Sequence, residues 1–220
     1  MIEPPCPPGP DAGGTTSSAS SANGVGVLSA IGGSLICTQF TAFAADDYED
    51  MFKIRVCDAA NFSARASANF DTQLWLFDAE GRGVLGNDDA NVNEPQARIF
   101  PPADDGTNQT LPGPGVYYLA ISGRNNDPLS GGAAIFHQES TTERSGPDGP
   151  GGGDPITEWS VGGETGSYMI YLQGTAFLDD DCKGDSYVTE PLVPAVSDWG
   201  LLSLGIVLLS GGTIVLARRG

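Results

Sequence analysis

Asn87-Asp88-Asp89 closes an apolar segment, and these oxygen-bearing side chains offer the most definite chemistry in the chain. A hard cation such as Ca²⁺ needs several oxygens converging from flexible loops. Asp88 and Asp89 are the candidate ligands, with Asp78 and the acidic run Asp46-Asp47-Tyr48-Glu49-Asp50 as further donors. The competing reading is turn chemistry, since Asp and Asn favour turns and keep loops soluble. A second acidic stretch, Asp179-x-Asp181-x-Lys183-Gly184-x5-Glu190, matches an EF-hand loop at positions one, three, six and twelve. Lys183 falls where an oxygen is required and no helix precedes the loop, so an acidic spacer is the simpler reading.

Catalytic chemistry has little to build on. His137 is the one histidine, and no Gly-x-Ser-x-Gly elbow accompanies it. A triad through His137 would need a serine and a carboxylate brought in from elsewhere. With 28 acidic residues, carboxylate pairs arise by chance and none can be singled out as a glycosidase pair. Gly151-Gly152-Gly153 lacks the lysine of a phosphate loop and reads as a flexible turn. The chain is therefore not expected to be an enzyme. Cys6, Cys37, Cys57 and Cys182 include no Cys-x-x-Cys pair, which argues against zinc; an exported chain allows disulfides, and four unpaired thiols are the alternative. Cys37–Cys57 is the preferred pair, because both lie in or near expected strands; Cys6 and Cys182 lie near the two ends of the body and could close it.

The elements that must position these groups are strands. Phe52, Ile54 and Val56 alternate with Lys53 and Arg55, the period of a half-buried strand. Thr72–Phe77 is apolar on both faces, with Leu74 and Leu76 on one and Trp75 and Phe77 on the other, as a central strand requires. Asp78-Ala79-Glu80-Gly81 turns the chain and Val84-Leu85 returns it. Val116–Ser122 places Tyr117, Leu119 and Ile121 opposite Val116, Tyr118 and Ala120. Tyr168, Ile170 and Leu172 alternate with Met169 and Tyr171. Val25–Leu35, Ala97–Phe100 and Ala133–Phe136 are shorter candidates, and Ser145–Pro155 is a Gly/Pro loop. The expected fold class is all-β, an antiparallel β-sandwich with jelly-roll-like connections. Residues 1–23, rich in Pro, Ser and Gly, are expected to be disordered. The body spans 24–178, followed by an acidic linker over 179–192.

The net charge is −18, with 28 acidic against 10 basic side chains. Nucleic acid is thereby excluded as a partner, since its binding needs clustered Lys and Arg. The segment 193–220 differs from everything before it. An uncharged apolar run from Leu201 to Ala217 precedes Arg218-Arg219. At ~1.5 Å per residue it covers most of a ~30 Å hydrocarbon core. Trp199 suits the interface and the arginines suit the cytoplasmic side. A single C-terminal transmembrane helix is expected, with the body outside the cytoplasm, in the cell envelope or at the extracellular surface. Met1–Pro8 has neither a basic n-region nor an apolar h-region, so either an export signal lies upstream of this start, the preferred expectation, or the tail itself drives insertion.

Two resemblances rest on these residues. Val193, Pro194, Ala195, Val196, Ser197, Asp198, Trp199 and Gly200, followed by the apolar run and Arg218-Arg219, resemble bacterial sorting signals of the IPTL-CTERM and PEP-CTERM kind. Pro194, Ser197, Trp199 and Gly200 match the motif, and Ala195 is the departure from it. The resemblance implies processing by an exosortase-like membrane enzyme and transfer of the body to the cell surface. Asp50-x-Phe52-x-Ile54, Phe70-Asp71-Thr72-Gln73-Leu74-x-Leu76-Phe77-Asp78, Asn87-Asp88-Asp89, Pro114-Gly115-x-Tyr117-Tyr118-Leu119 and Gly166-Ser167-Tyr168-x-Ile170 resemble the bacterial pre-peptidase C-terminal (PPC) domain. That implies a compact antiparallel sandwich, usually a non-catalytic appendage of secreted proteins, in some cases beside a hydrolase. The alternative function is a module binding an extracellular glycan or protein ligand, through Trp75, Trp159, Tyr117 and Tyr118.

Overall fold

A computed structural model describes residues 12–35, 47–160 and 162–183. All of its regular structure is β. The strands are β1 (Ser20–Ser21), β2 (Ala30–Leu35), β3 (Glu49–Val56), β4 (Ser63–Ala68), β5 (Thr72–Phe77), β6 (Gly83–Asn87), β7 (Arg98–Ile99), β8 (Gly115–Gly123), β9 (Pro128–Ser130), β10 (Ala133–Ala134), β11 (Glu158–Trp159), β12 (Gly166–Gln173) and β13 (Thr175–Ala176). One main sheet has the order β1-β3-β8-β5-β6, with β13 also on β3, and the other has the order β2-β12-β4-β7. The chain passes repeatedly from one sheet to the other.

Side-chain alternation explains the packing. Ile54, Leu74, Leu76, Leu119 and Ile121 from the first sheet meet Ala64, Ala66, Ile99, Tyr168 and Ile170 from the second in one core. The opposite face of the first sheet is also covered. There Met51, Trp75, Phe77, Tyr118 and Ala120 pack under Ile135, Phe136 and Ile156, which come from the segment carrying the small β10-β9-β11 sheet. This third layer is why β5 is buried at every position and why it lacks a polar face. Gly86 pairs with Trp75 across β5–β6. A Cβ at Gly86 would meet the indole at 2.5 Å, so the flat ring lies where only glycine leaves room.

The outer sheet is covered on one side only. Met169 and Tyr171 on β12 face outward and Tyr171 is 54% exposed, while Tyr168 and Ile170 point into the core, as alternation leads one to expect.

Residues 12–23, expected to be disordered, are tied to the sandwich. β1 runs parallel to β3, Ser20 opposite Phe52, and the Met51 N–H donates to the Gly13 carbonyl. The gain comes from backbone pairing at a sheet edge, which asks nothing of small side chains; a composition argument about apolar burial does not register it. The expected Cys37–Cys57 pairing is replaced by Cys57–Cys182, with Cα atoms 5.3 Å apart. That bond rules out Cys6–Cys182 as well. β13 lies antiparallel beside the end of β3, Thr175 opposite Val56, and the Arg55 guanidinium donates to the Leu178 carbonyl. The strand pairing thus returns residue 182 to residue 57. Cys6, Cys37 and the sorting motif Val193–Gly200 with Arg218 and Arg219 lie outside the described residues. Among the described residues no helix is long and apolar enough to cross a membrane.

Candidate metal centre

Three strand ends meet at one edge of the first sheet. β5 and β6 are antiparallel neighbours, so the start of β5 lies beside the end of β6, and β8 ends on the other side of β5. Asp71 immediately precedes β5, Asp88 and Asp89 follow β6, and Arg124 follows β8. One carboxylate oxygen each from Asp71, Asp88 and Asp89 lies within 4.8 Å of the others.

The loop is held by its backbone. The Asn87 amide donates to the carbonyls of Asp89 and Glu143, both at 2.9 Å, and its oxygen accepts from the Arg98 N–H at 2.8 Å. The Asp89 N–H donates to the Thr141 carbonyl, and the Asp71 N–H donates to the Glu164 carboxylate at 3.0 Å. These bonds fix where the carboxylates sit and leave carboxylate oxygens for other partners.

Asp88 is only 7% exposed, and its Oδ1, like Asp71 Oδ1, is buried with no hydrogen-bond partner. Buried polar atoms are almost always satisfied, and leaving a charged one unmet is costly. Burial, then Asp89 and Asp71, push the Asp88 carboxyl up to about 7, against a smaller lowering by Arg124. Burial and Asp89 likewise raise Asp71, with Arg124 opposing. The exposed Arg124 guanidinium stands 3.6 Å from the largely buried Asp71 carboxylate. One partly solvated guanidinium does not balance three converging carboxylates. A divalent cation would, and the all-oxygen donor set suits Ca²⁺, which accepts irregular geometry, better than Mg²⁺, which demands a near-octahedral shell.

Sequence reasoning named Asp88 and Asp89 and missed Asp71. The structure does not bring Asp78 to them. Asp78 stands at the opposite end of the β5–β6 hairpin, where its carboxylate accepts from the N–H groups of Glu80 and Arg82 in a turn closed by Gly81 at φ +83°. Asp50 is buried and bonds Ala12 and Tyr168. Asp179 accepts from the Gly24 N–H and Asp181 pairs with Lys183, so both are engaged away from an EF-hand arrangement. His137 is exposed, and its backbone N–H donates to Asp148. The aromatic residues proposed to meet a ligand are placed otherwise: Trp75, Tyr117 and Tyr118 are buried, and the half-buried Trp159 donates to the Gly14 carbonyl.

No family model matches the chain, and no curated protein matches it. Among solved structures it is similar to the pre-peptidase C-terminal domain of a collagenase from Bacillus anthracis, at 16% identity and a TM-score of 0.35, over 70% of this chain and 96% of that one.

Proposed function

We propose that this chain is an exported, non-catalytic, PPC-like surface protein whose sandwich, with jelly-roll-like connections, is stabilised by Ca²⁺ held between Asp71, Asp88 and Asp89. The C-terminal segment anchors it in the membrane until an exosortase-like enzyme processes it at the envelope. The observation that carries the metal reading is the buried Asp88 Oδ1, which has no hydrogen-bond partner, on a carboxylate that converges with two others. The Cys57–Cys182 disulfide supports export, since such bonds persist in oxidising compartments. The order of motif, apolar run and Arg218-Arg219 supports the anchor.

Calorimetric titration of the full chain in neutral detergent with CaCl₂ tests the site. Saturable binding near one equivalent is expected, lost in Asp88→Asn/Asp89→Asn, with Mg²⁺ weaker. Absence of binding heat with a folded protein returns these residues to turn chemistry. Deleting residues 193–220 should move the protein from the membrane fraction to the medium in its exporting host; cytosolic full-length protein with the tail intact would overturn the anchor.

A further inference from the structure

The outer face of the second sheet carries a different kind of site. Tyr171 on β12 pairs with Arg65 on β4, and Arg65 pairs with Arg98 on β7, so the three side chains form one row across adjacent strands. Ser63 lies on the same face, two residues before Arg65. Phe100 and Arg144 close the end of the row, and the whole lines an open groove of about 520 Å³.

The charges there are unlike those of the rest of the chain. Three of its 10 basic residues converge on this groove although the net charge is −18. Arg65 is bonded to Glu94 and Arg144 to Asp104 at 2.8 Å. Three guanidiniums less two carboxylates leave one positive charge; Arg98 makes no ion pair among the described residues, and Glu94, bonded to Arg65, also feels its charge. It is also held in place. Both the Arg98 and Arg144 guanidiniums lie over the Phe100 ring, at 5.0 and 3.9 Å, so less side-chain freedom remains to be lost on binding.

A planar guanidinium fork matches a carboxylate through two parallel hydrogen bonds. An exposed tyrosine ring offers an apolar face with a polar edge, suited to the C–H face of a sugar. The Ser63 hydroxyl can both donate to and accept from sugar hydroxyls. The volume falls within the range of small-ligand clefts. The geometry points to this groove as a binding site for a uronic-acid polysaccharide, its carboxylate on Arg98 and its ring stacked on Tyr171. An acidic peptide would share the charge but has no sugar face to set on Tyr171, and so is the less fitting occupant. This site uses none of Asp71, Asp88 or Asp89 and stands or falls independently of the metal reading.

The test is calorimetry of the full chain in neutral detergent against three probes: a β-1,4-glucuronan hexasaccharide, cellohexaose, which carries a hydroxymethyl group in place of each carboxylate, and hexaglutamate. Binding of the glucuronan is expected, with cellohexaose and hexaglutamate at least tenfold weaker. Arg98→Ala and Tyr171→Ala should each weaken glucuronan binding tenfold or more, with melting temperatures within a few degrees of wild type because both side chains are exposed. Arg98→Lys, which keeps the charge and loses the fork, should fall between. Equal binding of cellohexaose, equal or tighter binding of hexaglutamate, no binding of any probe, or full affinity in folded Arg98→Ala or Tyr171→Ala would each overturn the proposal.

Discussion

The acidic edge of the first sheet and the arginine groove on the second handle charge in opposite ways. In the groove, carboxylates stand opposite guanidiniums and remain in contact with water; Arg65 is 52% exposed and Glu94 31%. At the edge, Asp71, Asp88 and Asp89 converge on one another, and the most buried of them has an oxygen with no partner. The groove is close to electrostatic balance and its individual pairs contribute little to folding. The edge is out of balance, so its state is coupled to stability and a cation bound there acts on the whole fold by mass action. A sum over the chain's charges hides this difference. What matters is whether each group retains water or a counter-charge after folding.

Substitutions at the two regions should therefore differ in sign as well as size. Asp88→Asn removes the buried charge and supplies amide donors to the neighbouring carboxylates. It should stabilise the cation-free protein by about 1–3 kcal/mol, read as a rise of several degrees in melting temperature in chelator. A fall on that substitution would mean that Asp88 is already satisfied as a carboxylate. A smaller effect is expected from pH. Because folding raises the Asp88 carboxyl from 3.8 to about 7, the folded state holds its proton more tightly than the unfolded state does. In chelator its contribution is fully present below about pH 4 and is lost as pH rises through 7. Melting temperature should be lower at pH 8 than at pH 5.5, and Asp88→Asn should flatten the difference. A profile unchanged by that substitution would place the pH dependence elsewhere. The smallest effect belongs to the groove. Arg65→Ala opens an exposed pair and should shift the melting temperature by less than about one degree; a loss of several degrees would make the groove as critical to folding as the edge.

The long strands were legible, β12 from its alternation and β5 and β8 from apolar residues on both faces. Asp88 and Asp89 were legible as a loop beyond a strand. Asp71 was not, since it joins them only through strand register. Leu74 pairs with Asn87, which carries Asp88 and Asp89 toward the residues just before Leu74. Counting the hairpin back from the turn at Asp78 would have brought in Asp71 and sent Asp78 to the far end. The third layer was hidden for a related reason. Ile135, Phe136 and Ile156 carry no long period, and the apolar outer face of β5 was the one trace of what covers it. The groove was equally non-local, its row of Tyr171, Arg65 and Arg98 being assembled from three strands.

The most direct measurement is the melting curve of the full chain in chelator against millimolar CaCl₂ at pH 7.5, with Asp88→Asn alongside. At a hundredfold excess over Kd the bound cation contributes about 2.7 kcal/mol, so the wild-type curve should rise by several degrees and the variant curve should barely move. Superimposable wild-type curves with and without Ca²⁺ would contradict a cation site at Asp71, Asp88 and Asp89.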